Sequence, residues 1–329
     1  MSKLYRSTLN RMRYFGFLAF AFLIWYVEPN NILQALAHTQ FSYLLAAMVL
    51  NLPNIALKTW RWQVLLLEAG IRLPFAVALR AYAASIFIGC LTPGRLGEFV
   101  KAAYVLQNGR GELSRVLPSV FIDRLFDFYF LLVLGLIGLF RYSLSSNQSS
   151  HLKLALLAAV MFVLPGLFST SRLGNWLKRS PAIGKLKTNW RGALLEIHGQ
   201  LASLTSTSLA RGFGLTVLAY TIFFFQCQIG ASATGVEIPF MDLILVMSVT
   251  NLLSFLPVSI SGIGIRDASL IIFLGRFGIG QAQAVAFSMA ILVIFYVCGI
   301  LLGSMCWVWE PMKIGTGNSV EVADSRDEK

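Results

Sequence analysis

Charged residues interrupt the apolar sequence in a few short clusters, and these are the places where the chain could do chemistry. In the first cluster, Pro93 and Gly94 are followed by Arg95, Glu98 and Lys101. Proline and glycine end one helix, and the next helix begins with free backbone N–H groups and a positive dipole end. These groups favour an anion, and a guanidinium can add a bidentate contact to phosphate. The cluster predicts an anion site; the alternative is a cytoplasmic loop with a capped helix start.

A second cluster further along the chain has the same ingredients. Its members are, in order, Pro257, Ser259, Ser261, Gly262, Gly264, Arg266 and Asp267. Ser259 or Ser261 can cap the helix that follows, and the two glycines permit positive φ or the close approach of another backbone. The pattern predicts a second headgroup-binding turn that mirrors the first, with an unremarkable extracellular loop as the alternative.

The third cluster is Asp123, Arg124 and Asp127, inside an apolar run. The two aspartates are four residues apart, so a helix places them on one face. Charges within a membrane span are costly and usually face the bundle interior or water. We expect these residues to neutralise Arg95 or Arg266, or to carry protons if transport is coupled to protons. The alternative is a position at the membrane interface.

The other polar residues suggest no catalytic or metal chemistry. Lys58 and Arg61, beside Trp60 and Trp62, are typical of an interfacial anchor. The four cysteines and three histidines show no metal-ligand or redox spacing, so we expect no metal and no cofactor. Neither a nucleotide-binding nor a hydrolase motif occurs in the sequence, which favours a protein that is not an enzyme.

The elements that carry these clusters are predicted by composition. Apolar residues make up 57% of the 329 residues and charged residues only 13%, whereas soluble domains average about 25% charged residues. Apolar windows of roughly 17 to 25 residues, the length of a transmembrane helix, recur along the chain. We predict an all-α polytopic membrane protein. The net charge of +12 comes from Lys and Arg between apolar segments, which indicates positive-inside topology and anionic lipid, not nucleic acid.

Hydropathy separates full spans from interrupted ones. About six full transmembrane helices are predicted, at residues 14–28, 40–58, 117–140, 152–169, 210–230 and 282–308. Two longer stretches, 76–108 and 239–280, are broken by Gly and Pro at the first and second clusters. Loop charges alternate only if each broken stretch returns to the side from which it entered. Each is therefore predicted to be a re-entrant helical hairpin with its irregular turn near mid-membrane, where it must be buried or line a wet cavity.

The hairpins divide the predicted domain, residues 1–312, into halves of roughly 1–150 and 151–312. Each half holds three spans with a hairpin before the last, and an odd number of spans inverts the second half relative to the first. This inverted repeat is a recurrent transporter plan. Both termini are predicted to be cytoplasmic, the basic segment 171–206 to lie on the cytoplasmic membrane surface, and residues 313–329 to form a disordered polar tail.

At these motifs the chain resembles the lysylphosphatidylglycerol synthase transmembrane-region family, a group of flippase-like membrane proteins, over roughly residues 10 to 310. The residues that carry the resemblance are Pro93-Gly94-Arg95-Leu96-Gly97-Glu98, Asp123-Arg124-Leu125 with Asp127, Trp60 to Leu66, and Pro257 with Gly262 to Asp267. The family usually has Glu where this chain has Asp267, and a double glycine where it has Ser261 and Gly262.

The resemblance implies a function in lipid handling. In the bifunctional synthases, the related region is coupled to a soluble aminoacyltransferase domain and moves the aminoacylated lipid outward. This sequence contains no such domain, so the resemblance implies lipid flipping or another form of lipid handling without synthesis. Other relatives are linked to polyprenyl-phosphate glycan pathways and to hopanoid-type lipids.

The leading hypothesis is a flippase for a phosphate-containing lipid in the plasma (cell inner) membrane, with possible coupling to protons or ions. The lipid is a phospholipid, an aminoacylated phospholipid or a polyprenyl-phosphate-linked lipid. The expected substrate-binding residues are Arg95, Glu98, Lys101, Asp123, Arg124, Asp127, Arg266 and Asp267. The expected hairpin turns contain Pro93, Gly94, Gly97, Pro257, Ser259, Ser261, Gly262 and Gly264. The alternatives are an intramembrane lipid-modifying enzyme and a non-catalytic partner in envelope glycan or lipid biosynthesis. A homo-oligomer or a partner protein is compatible with either.

Overall fold

The computed structural model describes residues 39–90, 92, 96–107, 112–142, 188–255 and 262–309, all of them in helices or short connections. The predicted spans 14–28 and 152–169 and the tail 313–329 lie outside the described residues. The predicted hairpin residues Pro93, Gly94, Arg95, Pro257, Ser259 and Ser261 do so as well.

The first described span is longer than predicted. Helix α1 (Phe41–Val49) and helix α2 (Asn51–Glu68) follow each other across Leu50 and together form one apolar segment long enough to cross a membrane. The sequence placed the end of this span near residue 58, because charged residues follow. The structure continues the helix for ten more residues because the charged side chains of Lys58 and Arg61 find partners inside the protein.

The other described long helices agree with the predicted spans. Helix α5 is Leu113–Tyr142 and helix α7 is Ser206–Ala233. Helix α6 (Thr188–Ser203) was not predicted as a span and lies in the segment 171–206 that was predicted to lie on the membrane surface. The last span consists of α10 (Gln281–Ile291), a π-helical segment (Leu292–Val297) and α11 (Cys298–Trp309). Within the described ranges, α1–α2, α7 and the segment Gln281–Cys306 are apolar and long enough to cross a membrane.

Both interrupted stretches are broken where the sequence predicted. The first consists of α3 (Phe75–Cys90), a 3-10 turn (Leu96–Phe99) and α4 (Val100–Gln107). Its two arms pack against each other, and the Nζ atom of Lys101 in α4 lies 4.3 Å from the ring centroid of Tyr82 in α3. The chain therefore folds back on itself at the break.

The second interrupted stretch consists of α8 (Phe240–Ser254) and α9 (Ile265–Gly275), which also pack against each other. Gly262 and Gly264 have φ angles of +75° and +87°, as the glycine pattern predicted. The expectation that a serine caps α9 was wrong. Gly264 is the N-cap residue, and the carboxylate of Asp267 accepts a hydrogen bond from its N–H at 2.7 Å. Gly264 adopts its positive φ angle without strain, and the helix therefore begins at Ile265, after the positions that the serines would have capped.

The packing between the two parts of the chain is reciprocal. The first arm of the first hairpin, α3, packs against α11, which follows the second hairpin. The first arm of the second hairpin, α8, packs against α5, which follows the first hairpin. The helices before the hairpins, α1–α2 and α7, pack against each other. The first arm of each hairpin thus has its main partner in the helix that follows the other hairpin, and the helices before the two hairpins pair with each other.

Glycines allow the close contacts on which this exchange depends. A Cβ atom at Gly303 of α11 would lie 2.5 Å from the carbonyl oxygen of Ala83 in α3. A Cβ atom at Gly135 of α5 would lie 2.4 Å from a methyl group of Leu252 in α8. Small residues at helix contacts let backbones approach closely, a common feature of helix packing within membranes.

Candidate functional site

A cavity of about 130 Å³ lies between the two hairpins and the long helices. Its charged lining residues come from both hairpin regions and from helices α2 and α5. They are Lys58, Glu98, Arg124, Asp127 and Arg266. The remaining lining includes asparagines and serine as well as aromatic and aliphatic side chains. The cavity therefore offers both charged and neutral polar groups to a ligand, next to apolar walls.

The charged wall of the cavity rests on Arg61, which is completely buried. Its Nε atom donates to Asp123 at 2.8 Å, and its Nη1 atom donates to Asp127 at 2.8 Å and to Thr216 at 2.9 Å. Its Nη2 atom donates to the main-chain oxygen of Asp123 at 3.1 Å. A planar guanidinium can hold several acceptors in fixed directions at once, so Arg61 locks α2, α5 and α7 together.

A second layer of cations surrounds the same carboxylates. Lys101 is fully buried and its Nζ atom lies 2.5 Å from Asp123. Arg124 forms ion pairs with Glu98 at 2.5 Å, with Asp123 at 3.0 Å and with Asp127 at 3.3 Å. Because Glu98 and Lys101 belong to the first hairpin and Arg124 to α5, these ion pairs join the hairpin to the helix that follows it.

Lys58 and Tyr82 complete the group on the cavity side. The Nζ atom of Lys58 lies 3.6 Å from Asp127, and the hydroxyl group of Tyr82 accepts a hydrogen bond from Arg124 at 2.7 Å. Both side chains line the cavity, as does that of Arg124. No hydrogen bond within the described part of the chain satisfies the buried Nε–H of Arg124.

Arg266 lies on the other side of the cavity. Its Nε atom donates to Ser288 at 2.9 Å, its Nη2 atom to Asp267 at 3.2 Å, and its guanidinium lies 5.6 Å from the ring centroid of Tyr296. Ser288 in turn donates to Asp267. The Nη1 atom of Arg266 is buried and has no acceptor among the described residues. A buried guanidinium N–H without an acceptor is costly, so this atom is a natural contact for an anionic ligand.

The predicted site residues thus fall into two groups. Glu98, Lys101, Asp123, Arg124 and Asp127 form one connected network, and Arg266 with Asp267 forms a second one across the cavity. The aspartates of α5 pair with Arg61, Lys58, Lys101 and Arg124, and not with Arg266 as one expectation had it. Arg95, the remaining predicted binding residue, lies outside the described residues.

Sequence reasoning missed Arg61 and Lys58 as members of the site. The anchor interpretation was wrong for Arg61, because its side chain is buried, whereas Trp60 is 57% exposed as an anchor would be. A signal was present in the spacing. Asn51, Asn54, Lys58 and Arg61 recur at intervals of three or four residues and form a polar stripe on one face of α2, a pattern that does not occur on a lipid-facing helix.

Comparison with known proteins identifies the family. The model of the lysylphosphatidylglycerol synthase transmembrane region matches residues 14–303, which is most of the chain. The chain belongs to this family. It is also similar to two proteins of Methanothermobacter thermautotrophicus, each described as a UPF0104 membrane protein. One is 25% identical over 82% of this chain and 86% of its own length, and the other is 23% identical over 89% and 92%.

The match covers both hairpins, the charged network and the cavity, so all of these features are parts of the lysylphosphatidylglycerol synthase transmembrane region. Together with the apolar helices, it establishes that the chain is an integral membrane protein. The recognition made from the motifs is therefore confirmed, and so is the all-helical fold.

Proposed function

We propose that this protein moves a phosphate-containing lipid between the leaflets of the membrane. The observation that carries the proposal is the cavity between the hairpins, because two arginines from opposite sides line it and each retains a buried N–H without an acceptor. A phosphate oxygen would satisfy both atoms, and a guanidinium binds phosphate with good geometry. The apolar part of the lining and the surrounding bilayer would accommodate the lipid tails.

The reciprocal packing supports an inverted repeat. In each half, the helix before the hairpin, the hairpin and the helix after it have counterparts in the other half, and the contacts exchange between them. Two re-entrant hairpins related in this way would place one turn toward each leaflet. Rocking of one hairpin against the other could then expose the cavity first to one side and later to the other, as in other transporters built from inverted repeats.

The charged network suggests which part is fixed. Five ion pairs join α2 and the first hairpin to α5, and they are formed by Lys58, Arg61, Glu98 and Lys101. The second hairpin is held at its turn by the small group around Arg266. We therefore assign the larger movement to the second hairpin, whose charged contacts are fewer.

The test is lipid transport in proteoliposomes that contain a phospholipid with a fluorophore on an acyl chain. A membrane-impermeant reductant bleaches the fluorophore only in the outer leaflet, so bleaching of the inner-leaflet fraction reports transport. We expect transport by the wild-type protein and at least a tenfold lower rate for Arg266→Gln, since a charge-assisted hydrogen bond contributes roughly 1.5–3 kcal/mol.

Arg211→Gln is the matched control, because it removes one charge from an exposed position of α7. It should transport at the wild-type rate. Arg266→Lys separates charge from geometry and should retain part of the activity. Transport by Arg266→Gln at the wild-type rate, with both proteins monodisperse and equally stable to heat, would contradict the site. Absence of transport by the wild-type protein for every phospholipid would contradict the function.

A further inference from the structure

The cavity contains a row of amide oxygens that the phosphate-binding role does not use. Asn51 and Asn54 lie on α2, on the same face as Lys58, and Asn251 lies on α8. All three line the cavity. Such neutral polar groups beside the cations indicate that more of the ligand than its phosphate is recognised.

The orientation of the three amides is determined by their partners. The Nδ2 atom of Asn51 donates to the carbonyl oxygen of Ile294 at 2.7 Å, and that of Asn54 donates to Ala219 O at 3.2 Å. The Nδ2 atom of Asn251 donates to the carbonyl oxygen of its own preceding turn at 2.8 Å. A backbone carbonyl only accepts, so the group that faces it must be the NH2 group.

The Oδ1 atom of each amide is therefore left to accept a hydrogen bond from a ligand. Within the described part of the chain, none of these three oxygens accepts a hydrogen bond. An amide oxygen has two lone pairs, so the row can accept hydrogen bonds from several donors. A ligand that fits the row must carry O–H or N–H groups next to its phosphate.

The charge balance decides between hydroxyl and ammonium donors. The described ionisable groups of the cavity and its networks are five cations (Lys58, Arg61, Lys101, Arg124, Arg266) and four carboxylates (Glu98, Asp123, Asp127, Asp267). Every carboxylate already has a cationic partner in the protein, and one positive charge is left over. An ammonium group would meet this excess charge with no carboxylate to receive it, whereas a single phosphate charge balances it.

We propose that the preferred substrate is a phosphodiester lipid with a neutral, hydroxyl-bearing headgroup, whose phosphate contacts Arg266 and Arg124 and whose hydroxyl groups donate to Asn51, Asn54 and Asn251. This inference rests on the proposed lipid transport and specifies its substrate class. A lipid with an amino headgroup is a poorer substrate, because the same cavity that attracts its phosphate repels its ammonium group.

The test compares three lipids with the same labelled acyl chain in the proteoliposome assay. Phosphatidylglycerol has the hydroxyl groups and one negative charge; phosphatidylethanol has the same charge without hydroxyl groups; phosphatidylethanolamine has the ammonium group. We expect phosphatidylglycerol to move fastest. Phosphatidylethanol should be about five- to tenfold slower, which corresponds to the loss of one hydrogen bond. Phosphatidylethanolamine should be slower by at least a similar factor.

Two variants of Asn251 make the test specific to the amide row. Asn251→Ala removes one acceptor and should lower the rate for phosphatidylglycerol while leaving that for phosphatidylethanol unchanged. Asn251→Asp adds a carboxylate to the cavity and should raise the rate for phosphatidylethanolamine relative to phosphatidylglycerol. Thr221→Ala, at an exposed position of α7, is the control and should change none of the three rates.

The outcomes separate this inference from the function on which it rests. Equal rates for the three lipids in the wild-type protein, or a faster rate for phosphatidylethanolamine, would overturn the substrate class and leave lipid transport intact. An unchanged lipid preference in both Asn251 variants would overturn the role of the amide row. If no lipid moves at all, the proposed function fails first.

Discussion

Replacement of Arg61 by methionine should destabilise the protein more than any other single loss of charge in the network. Arg61 is completely buried and makes four hydrogen bonds, two of them to the carboxylates of Asp123 and Asp127. Methionine fills a similar volume but leaves both carboxylates with fewer donors. Removing one partner from a buried ion pair costs about 3–5 kcal/mol, and we expect a loss of that size in the free energy of unfolding.

Arg61→Lys provides the graded comparison. It keeps the charge but cannot reach both carboxylates in fixed directions, so it should lose about 1.5–3 kcal/mol, the contribution of one charge-assisted hydrogen bond. The double variant Arg61→Met, Asp127→Asn removes both partners of one pair. Because the two residues are in contact, its loss should be smaller than the sum of the single losses, by about 0.5–3 kcal/mol.

The measurement is reversible unfolding in mixed detergent micelles, with Arg211→Met as the control at an exposed position of α7. The control should stay within about 0.5 kcal/mol of the wild-type protein, as surface substitutions usually do. The reasoning is refuted if the free energy of unfolding of Arg61→Met lies within about 1 kcal/mol of the wild-type value, because loss of one partner of a buried ion pair should cost at least roughly 3 kcal/mol. Strict additivity in the double variant would show that Arg61 and Asp127 do not interact.

Three further predictions follow from the fold. Gly303→Val should separate α11 from α3 and lower the free energy of unfolding by about 1–3 kcal/mol, measured as a lower melting temperature. Gly275→Ala is the control and should have no such effect, because its Cβ atom would meet nothing within 4 Å. Gln226→Leu should lower stability by roughly 0.6–1.7 kcal/mol in the same assay, because Gln226 bridges Asn54 and the carbonyl oxygen of Ala47; a more stable variant would contradict it. In a protein without the native cysteines, a cysteine introduced at Glu237 and one introduced at Gly278 should react with an impermeant thiol reagent from the same side of the membrane, because the second hairpin returns to its side of entry. Labelling of the two positions from opposite sides would show that this stretch crosses the membrane.

The features that the sequence predicted correctly are those with a local cause. Prolines and glycines close together mark both breaks, and the helices are interrupted there because proline lacks a backbone N–H and glycine readily leaves the helical conformation. The i, i+4 spacing of Asp123 and Asp127 placed both on one face, and Arg61 does bind both. Such inferences need only the geometry of one helix.

The features that were missed depend on partners far away in the sequence. Arg61 beside two tryptophans looks the same whether the helix ends at an interface or continues into a bundle, and only the arrival of α5 and α7 decides between them. The start of α9 was misplaced for a local reason, because the helix begins after Gly264, whose N–H donates to the carboxylate of Asp267. The reciprocal packing also could not be predicted, because the halves share no visible sequence similarity.

This exchange of partners has a consequence for how the protein is made. The helix on which α3 packs, α11, leaves the ribosome only after nearly all of the remaining chain, roughly 10 to 40 seconds later at the usual elongation rate. Throughout that interval the surface of α3 that receives Gly303 of α11 has no native neighbour. We therefore expect the N-terminal helices to reach their native packing only after synthesis of the whole chain.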